Sequence, residues 1–240
     1  MPKAYPDFTV LPHEPIVRLA ENLWWVRGTL PNMPLKRTMT IVRLDGASAP
    51  LVIHSAIALE EAAMRELEAW GTPTYLLVPN GLHRLDAPAY KKRYPQLKVF
   101  TPPGARARVQ EVVPVDGSYL DFPDTPQLEL RTLPGVAEAE GAAIVRSNDG
   151  ATVILNDVVF NMDRPRDLLG LMITSVFGSA PGPRVSRLAK LALIKDRRAL
   201  RAELRLLAAL PELQRLVVSH DKVARGPEAR AALEAAAGYL

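Results

Sequence analysis

TYLLVPNGLHRLD, residues 74–86, decides how the rest of the chain is read. Tyr75, Leu76, Leu77 and Val78 form a short apolar, β-favouring run between turn signals, the pattern of a strand covered on both faces. Pro79 lacks a backbone N–H and cannot continue a central ladder, so Asn80, Gly81, Leu82 and His83 are released at the strand's C-terminal end. Sheets of the α/β class place ligand sites at such ends. The stretch therefore predicts both a buried strand and a polar, metal-capable loop.

Similar runs recur on either side. Upstream, Leu23 to Arg27, Met39 to Leu44 and Leu51 to His54 read as antiparallel strands in a meander. Trp24 and Trp25 are adjacent, so on a strand they face opposite ways. Ile57 to Trp70 carries apolar residues at helical spacing and stops at Gly71. Downstream, Ala87 to Tyr94 reads as a helix opened by Pro88, Leu97 to Phe100 as a strand, and Ala105 to Val112 as a further helix. Val113 to Leu120 and Leu128 to Leu133 follow as strands. Ala142 to Arg146 and Thr152 to Leu155 flank Asn148-Asp149-Gly150, a strong hairpin signal. Leu216 to Ser219 is a last strand, followed by an Ala-rich helix from Pro227.

Composition bounds the possibilities. The 240 residues are 48% hydrophobic, enough to supply a core. We expect a single domain over residues 1–240, with an irregular lead-in over 1–20 in which His13 is a surface residue, and a basic helical region over 181–210. No run approaches the roughly 20 apolar residues that span a bilayer, and MPKAYPDFTV lacks the apolar core of a signal peptide, so the expected location is cytoplasmic. With no cysteine, the strong metal ligands are His, Asp and Glu. A net charge of +4 is modest and local, and does not imply specific nucleic-acid binding.

In each half, antiparallel strands lead to a strand whose end presents His or Asp, with helices interspersed. This plan predicts an α/β fold, a four-layer αββα sandwich with two sheets face to face and helices outside. Four positions directly follow apolar strands: His54, Asn80 with His83, Asn156 with Asp157, and His220 with Asp221. Each alone has a structural reading, since Asn and Asp cap turns and satisfy backbone groups at strand ends. Three of the four histidines at separate strand ends favour a common pocket.

The succession VIHS, LLVPNGLHRLD followed by KKRYPQLKVFTPP, ILNDVVFNM and LVVSHDKV resembles the metallo-β-lactamase fold superfamily over about residues 20 to 225. It looks like a divergent branch with HS after the early strand and an N-x-x-H motif. The superfamily hallmark H-x-H-x-D-H is reduced here to Asn80, His83 and Asp86. The mid-chain histidine expected after a Pro-Gly turn is missing, because Val136 and Ala137 follow Pro134-Gly135. Asp157 matches the bridging aspartate and His220 the last histidine, whereas His54 stands where an aspartate is usual. The resemblance implies a metal hydrolase with a reduced, single-metal ligand set. His83, Asp157 and His220 would hold zinc or another divalent ion with one position open. His54 and Asn80 would line the ligand pocket, and Asp157, with Asp86 or Asp221 as general base, would serve catalysis on an ester, amide or phosphoester. The alternative is a metal-free member that binds a small molecule or a partner.

One feature lies outside that pattern. Arg184 to Arg205 holds eight Lys/Arg against two acids, with apolar residues at helical spacing. Such a helix either meets an anionic surface or packs its apolar stripe on its own sheet; a break at Asp196 favours packing and makes a membrane partner the weaker reading. The apolar Leu168 to Phe177 segment reads as a lid or a homodimer contact.

Overall fold

Trp24 and Trp25 part company in the computed structural model, which describes residues 4–161, 182–185, 193–220 and 222–240. Trp24 packs beneath the helices, stacked on Trp70 at 3.8 Å, while Trp25 enters the space between two sheets. The two-residue side-chain period forces this division, and it recurs along neighbouring strands. Ile53 and Leu76 lie on the helix side, Val52 and Leu77 on the inter-sheet side.

The first sheet has seven strands in sequence order: β1 (Val17–Ala20), β2 (Leu23–Leu30), β3 (Met33–Arg43), β4 (Pro50–His54), β5 (Thr72–Leu77), β6 (Lys98–Thr101) and β7 (Gly117–Ser118). β1 to β4 form an antiparallel meander. From β4 to β7 the pairing is parallel. Parallel neighbours require crossovers, and α1 (Glu61–Trp70), α2 (Ala87–Arg93) and α3 (Arg106–Gln110) supply them on one face.

The second sheet runs β12-β11-β10-β9-β8, built from β8 (Leu128–Thr132), β9 (Gly141–Ser147), β10 (Gly150–Ile154), β11 (Leu213–Val217) and β12 (Val223–Arg225). Asn148-Asp149 turns β9 into β10 in register, with Gly150 at a φ of 123°. α4 (Arg197–Ala208) and α5 (Pro227–Gly238) cover the outer face. Three apolar layers result, two under helices and one between the sheets, where Trp25, Leu77 and Phe100 meet Val145, Ile154 and Val217. This is the predicted αββα sandwich.

Several boundaries differ from expectation. The first helix begins at Glu61, not Ile57; residues 56–60 run non-helically, and His13 Nε2 accepts from the Glu60 N–H at 2.9 Å. His13 is thus partly buried and engaged, correcting the surface reading. Val113 to Leu120 yields only the two-residue β7 and then a capped 3-10 turn over Tyr119–Asp121, closed by Ser118 and Asp121. In the basic segment the helix starts after Asp196, whose carboxylate accepts from Arg198 and Ala199 N–H. Its stripe of Leu200, Leu204 and Leu207 is buried against the second sheet. No helix among the described residues is long and apolar enough to cross a membrane. Leu168 to Phe177, Arg187 and Lys190 lie outside the described residues.

Candidate functional site

The ladder of the first sheet ends where Pro79 removes a donor, and the next residues organise the loop. Asn80 Oδ1 accepts from Leu82 N–H at 2.8 Å and His83 N–H at 3.1 Å, a local turn that Asn forms readily. That turn brings His83 back over the strand ends. Its Nδ1 pairs with Ser55 Oγ at 2.8 Å. Ser55, directly after β4, is held by a bond from its N–H to Leu77 C=O and adopts a φ of 57°, an uncommon state for a non-glycine residue.

The second sheet delivers the other groups. β10 runs into Asn156 and Asp157, and β11 into Val218, Ser219 and His220. His220 Nδ1 donates to the Lys36 carbonyl at 2.6 Å, because a carbonyl only accepts. Both imidazoles therefore turn Nε2 towards one atom: Asp157 Oδ1 stands 3.1 Å from His83 Nε2 and 3.2 Å from His220 Nε2. Asp157 Oδ2 accepts from Asn80 Nδ2 at 2.9 Å. Each of His83, Asp157 and His220 offers one donor atom, and the three atoms lie within 4.8 Å of one another. Phe160 stacks on the His220 ring at 5.1 Å.

A residue that no strand-end pattern marks completes the arrangement. Glu140, buried just before β9, accepts from Val158 N–H at 3.0 Å and Asp157 N–H at 3.2 Å. It also shares Asn80 Nδ2, at 3.2 Å. Asn80 and Glu140 form a bridge between the two halves, and Gly141 N–H donates to Pro79 C=O. The sequence signal was absent, because Glu140 follows a loop of ordinary composition.

Burial and neighbouring charge divide the two carboxyls. Glu140 is pushed up to about 8 by burial first and by the Asp157 charge second. Burial also opposes ionisation of Asp157, but His83 and His220 outweigh it and hold that carboxyl well below the usual range. Reciprocally, burial works against a charged His220, yet Asp157 and the Lys36 carbonyl raise it above its ordinary value. His54 is brought down to about 3, by burial first and then by His83, so it is neutral.

Of the residues expected from sequence, Asn80, His83, Asp157 and His220 share this cluster. His54 sits next to Ser55 with its Nε2 buried and without a partner among the described residues. Asp86 is placed elsewhere: completely buried, it meets the Arg37 guanidinium just ahead of α2 and, among the described residues, makes no bond to the cluster. Burial pushes its carboxyl up despite Arg37. A general base needs access to substrate, and an ion-paired carboxylate with no exposed surface lacks it. Asp221 lies outside the described residues.

No protein-family model matches the sequence, and no curated protein does. Solved structures do. A metallo-β-lactamase from Pontibacter korlensis superimposes with a TM-score of 0.61 at 12% identity, covering 95% of this chain and 100% of the other. One from Erythrobacter litoralis, with beta mercaptoethanol in its active site, gives 0.61 at 16% identity over 94% and 96%. FIM-1 from Pseudomonas aeruginosa, in its mono-zinc form, gives 0.57 at 12% identity over 95% and 96%.

Proposed function

Given that the chain has the metallo-β-lactamase fold, we propose that His83, Asp157 and His220 hold one divalent metal ion, zinc by donor type, in a hydrolase acting on ester, amide or phosphoester bonds. The observation that carries the reading is the convergence of two Nε2 atoms on Asp157 Oδ1, with each Nδ1 already engaged by Ser55 or Lys36. Two ligands at ordinary zinc distances, set at a tetrahedral angle, stand about 3.3 Å apart. The 3.1 and 3.2 Å separations from Asp157 Oδ1 fit that figure, while the three ligand atoms together lie within 4.8 Å of one another, so the two Nε2 atoms would draw towards each other around a shared ion. When bound, such an ion supplies Lewis-acid activation of water and of a carbonyl or phosphoryl oxygen at neutral pH.

The chain's own groups have definite roles in this reading. The Lys36 carbonyl fixes the His220 tautomer, and Ser55 orients His83. Asn80 occupies Asp157 Oδ2, leaving Oδ1 to face the imidazoles. Glu140 anchors the Asp157 backbone, and Phe160 shields one face of His220. His54 and Asn80 are proposed as pocket residues and Asp221, beside His220 in sequence, as the general base.

A second reading has its own support. With a proton on Nε2, His220 forms a hydrogen bond of ordinary length to Asp157, so the cluster is also self-sufficient as a polar network in a metal-free binding protein. The two readings separate by experiment. Protein purified without a metal-binding tag should carry close to one equivalent of metal by elemental analysis, and chelator should lower its melting temperature. A ligand at a hundred times its dissociation constant stabilises the fold by about 2.7 kcal/mol. His83→Ala should bind little metal and ignore chelator. A parent chain that is metal-free and indifferent to chelator and to added zinc sinks the hydrolase.

A further inference from the structure

β3 touches both of the segments that carry the clustered histidines, and it does so through three consecutive residues. The Lys36 carbonyl accepts from His220 Nδ1 at 2.6 Å. The Arg37 guanidinium pairs with Asp86, three residues beyond His83. Thr38 Oγ1 donates to the Val218 carbonyl at 3.0 Å, two residues before His220. Side chains alternate along a strand, so Arg37 follows Met39 and Ile41 to the helix side, whereas Thr38 faces the second sheet. One strand is thereby tied to the His83 loop on one face and to the strand end before His220 on the other.

Stability alone does not account for the Arg37 and Asp86 charges. Arg37 is 5% exposed and Asp86 0%, and burying two charges costs solvation that their attraction offsets only where the remaining polar atoms are also paired. Here Arg37 Nη2 is buried without a hydrogen-bond partner among the described residues. Apolar side chains of similar volume would fill the same space without that cost. What an apolar pair lacks is direction. Arg37 is itself fixed, because its Nε donates to the Thr29 carbonyl at 3.1 Å on the neighbouring strand β2. Asp86 is the last residue before α2, so the ion pair pins the far end of the loop whose near end is turned by Asn80. His83 lies between these two anchors.

We propose that Arg37 and Thr38 are positioning residues that set the separation of the two imidazoles: Arg37 places His83 through Asp86, and Thr38 places His220 through the Val218 carbonyl. The consequence for metal binding rests on the site proposed above; the consequence for the two rings does not.

Two full-chain variants test it. Arg37→Met with Asp86→Val leaves no lone buried charge, and Thr38→Val keeps the shape of the side chain. Histidine ring signals in long-range nitrogen–proton spectra of the chelator-treated protein, assigned by their loss in His83→Ala and His220→Gln, should move chiefly at His83 in the double variant and chiefly at His220 in Thr38→Val. Zinc affinity, measured by competition with a chromophoric chelator, should fall by about tenfold or more in the double variant, while its chelator-treated melting temperature stays near that of the parent. Arg37→Lys keeps the ion pair, and with it the fold, but not the bond to Thr29; it should move the His83 ring by less, and it decides the matter if the double variant does not fold. A parent that binds no zinc would end the metal reading and leave the ring shifts to decide. Rings that stay in place in the folded variants, shifts spread equally over both rings in each variant, or a lower melting temperature at unchanged zinc affinity would each overturn the proposal.

Discussion

His83 and His220 are fixed by what stands behind them. A ligating imidazole almost always has its other nitrogen held by a partner, and partners of this kind typically contribute 10–100-fold to metal affinity. Lys36 contributes a backbone carbonyl that mutation cannot remove, whereas Ser55 contributes a side chain. Ser55→Ala should therefore lower zinc affinity by about 10–100-fold, measured by competition with a chromophoric chelator, while the circular dichroism spectrum stays that of the parent. Unchanged affinity would mean that packing alone aims His83. The convergence of His83, Asp157 and His220 was legible because each stands within a few residues of the end of an apolar strand. Glu140 was not, since its burial comes from a bridge to Asn80, sixty positions away in the chain, and no local pattern encodes that contact. Asp86 misled for the converse reason: its place in the N-x-x-H loop suggested the site, but Arg37 on β3 draws it into the interior.

Elements were legible where periodicity was long and boundaries had chemistry. The hairpin at Asn148-Asp149-Gly150 and the core strands followed from turn residues and apolar runs. β1 and β12 escaped, being short edge strands with mixed exposed and buried positions. The start of α4 shows how one residue sets a boundary. Asp196 is extended, and its carboxylate accepts from two N–H groups that the first turn leaves unpaired. Asp196→Ala should cost about 1 kcal/mol, read as a lower denaturant midpoint with an unchanged slope. Asp196→Asn should recover most of it; equal losses in both variants would assign the effect to charge and not to the cap.

At the scale of the whole molecule, the sandwich places the His83, Asp157 and His220 cluster where both sheets end together, and that placement buries titratable groups. His54, 3% exposed at the end of β4, is the clearest case, held down to about 3 from an ordinary 6.5 by burial and then by His83. The unfolded chain takes up a proton at this position below about pH 6.5, but the folded chain does so only near pH 3. Between those values the unfolded state binds more protons, so stability falls with acid, and the contribution of neutral His54 is fully present only above the unfolded pKa. The slope for one such proton approaches about 1.4 kcal/mol per pH unit. His220 works in the opposite sense, since its raised pKa favours the folded state as pH falls through its titration. The parent profile alone would mix the two, and a comparison isolates His54. In His54→Gln the group cannot titrate, so the melting-temperature difference between parent and variant should change steadily in the variant's favour from pH 7 to pH 4. A difference that stays constant across that range would show that His54 titrates alike in the folded and unfolded chain, and with it that burial at the strand ends does not govern the acid limb of stability.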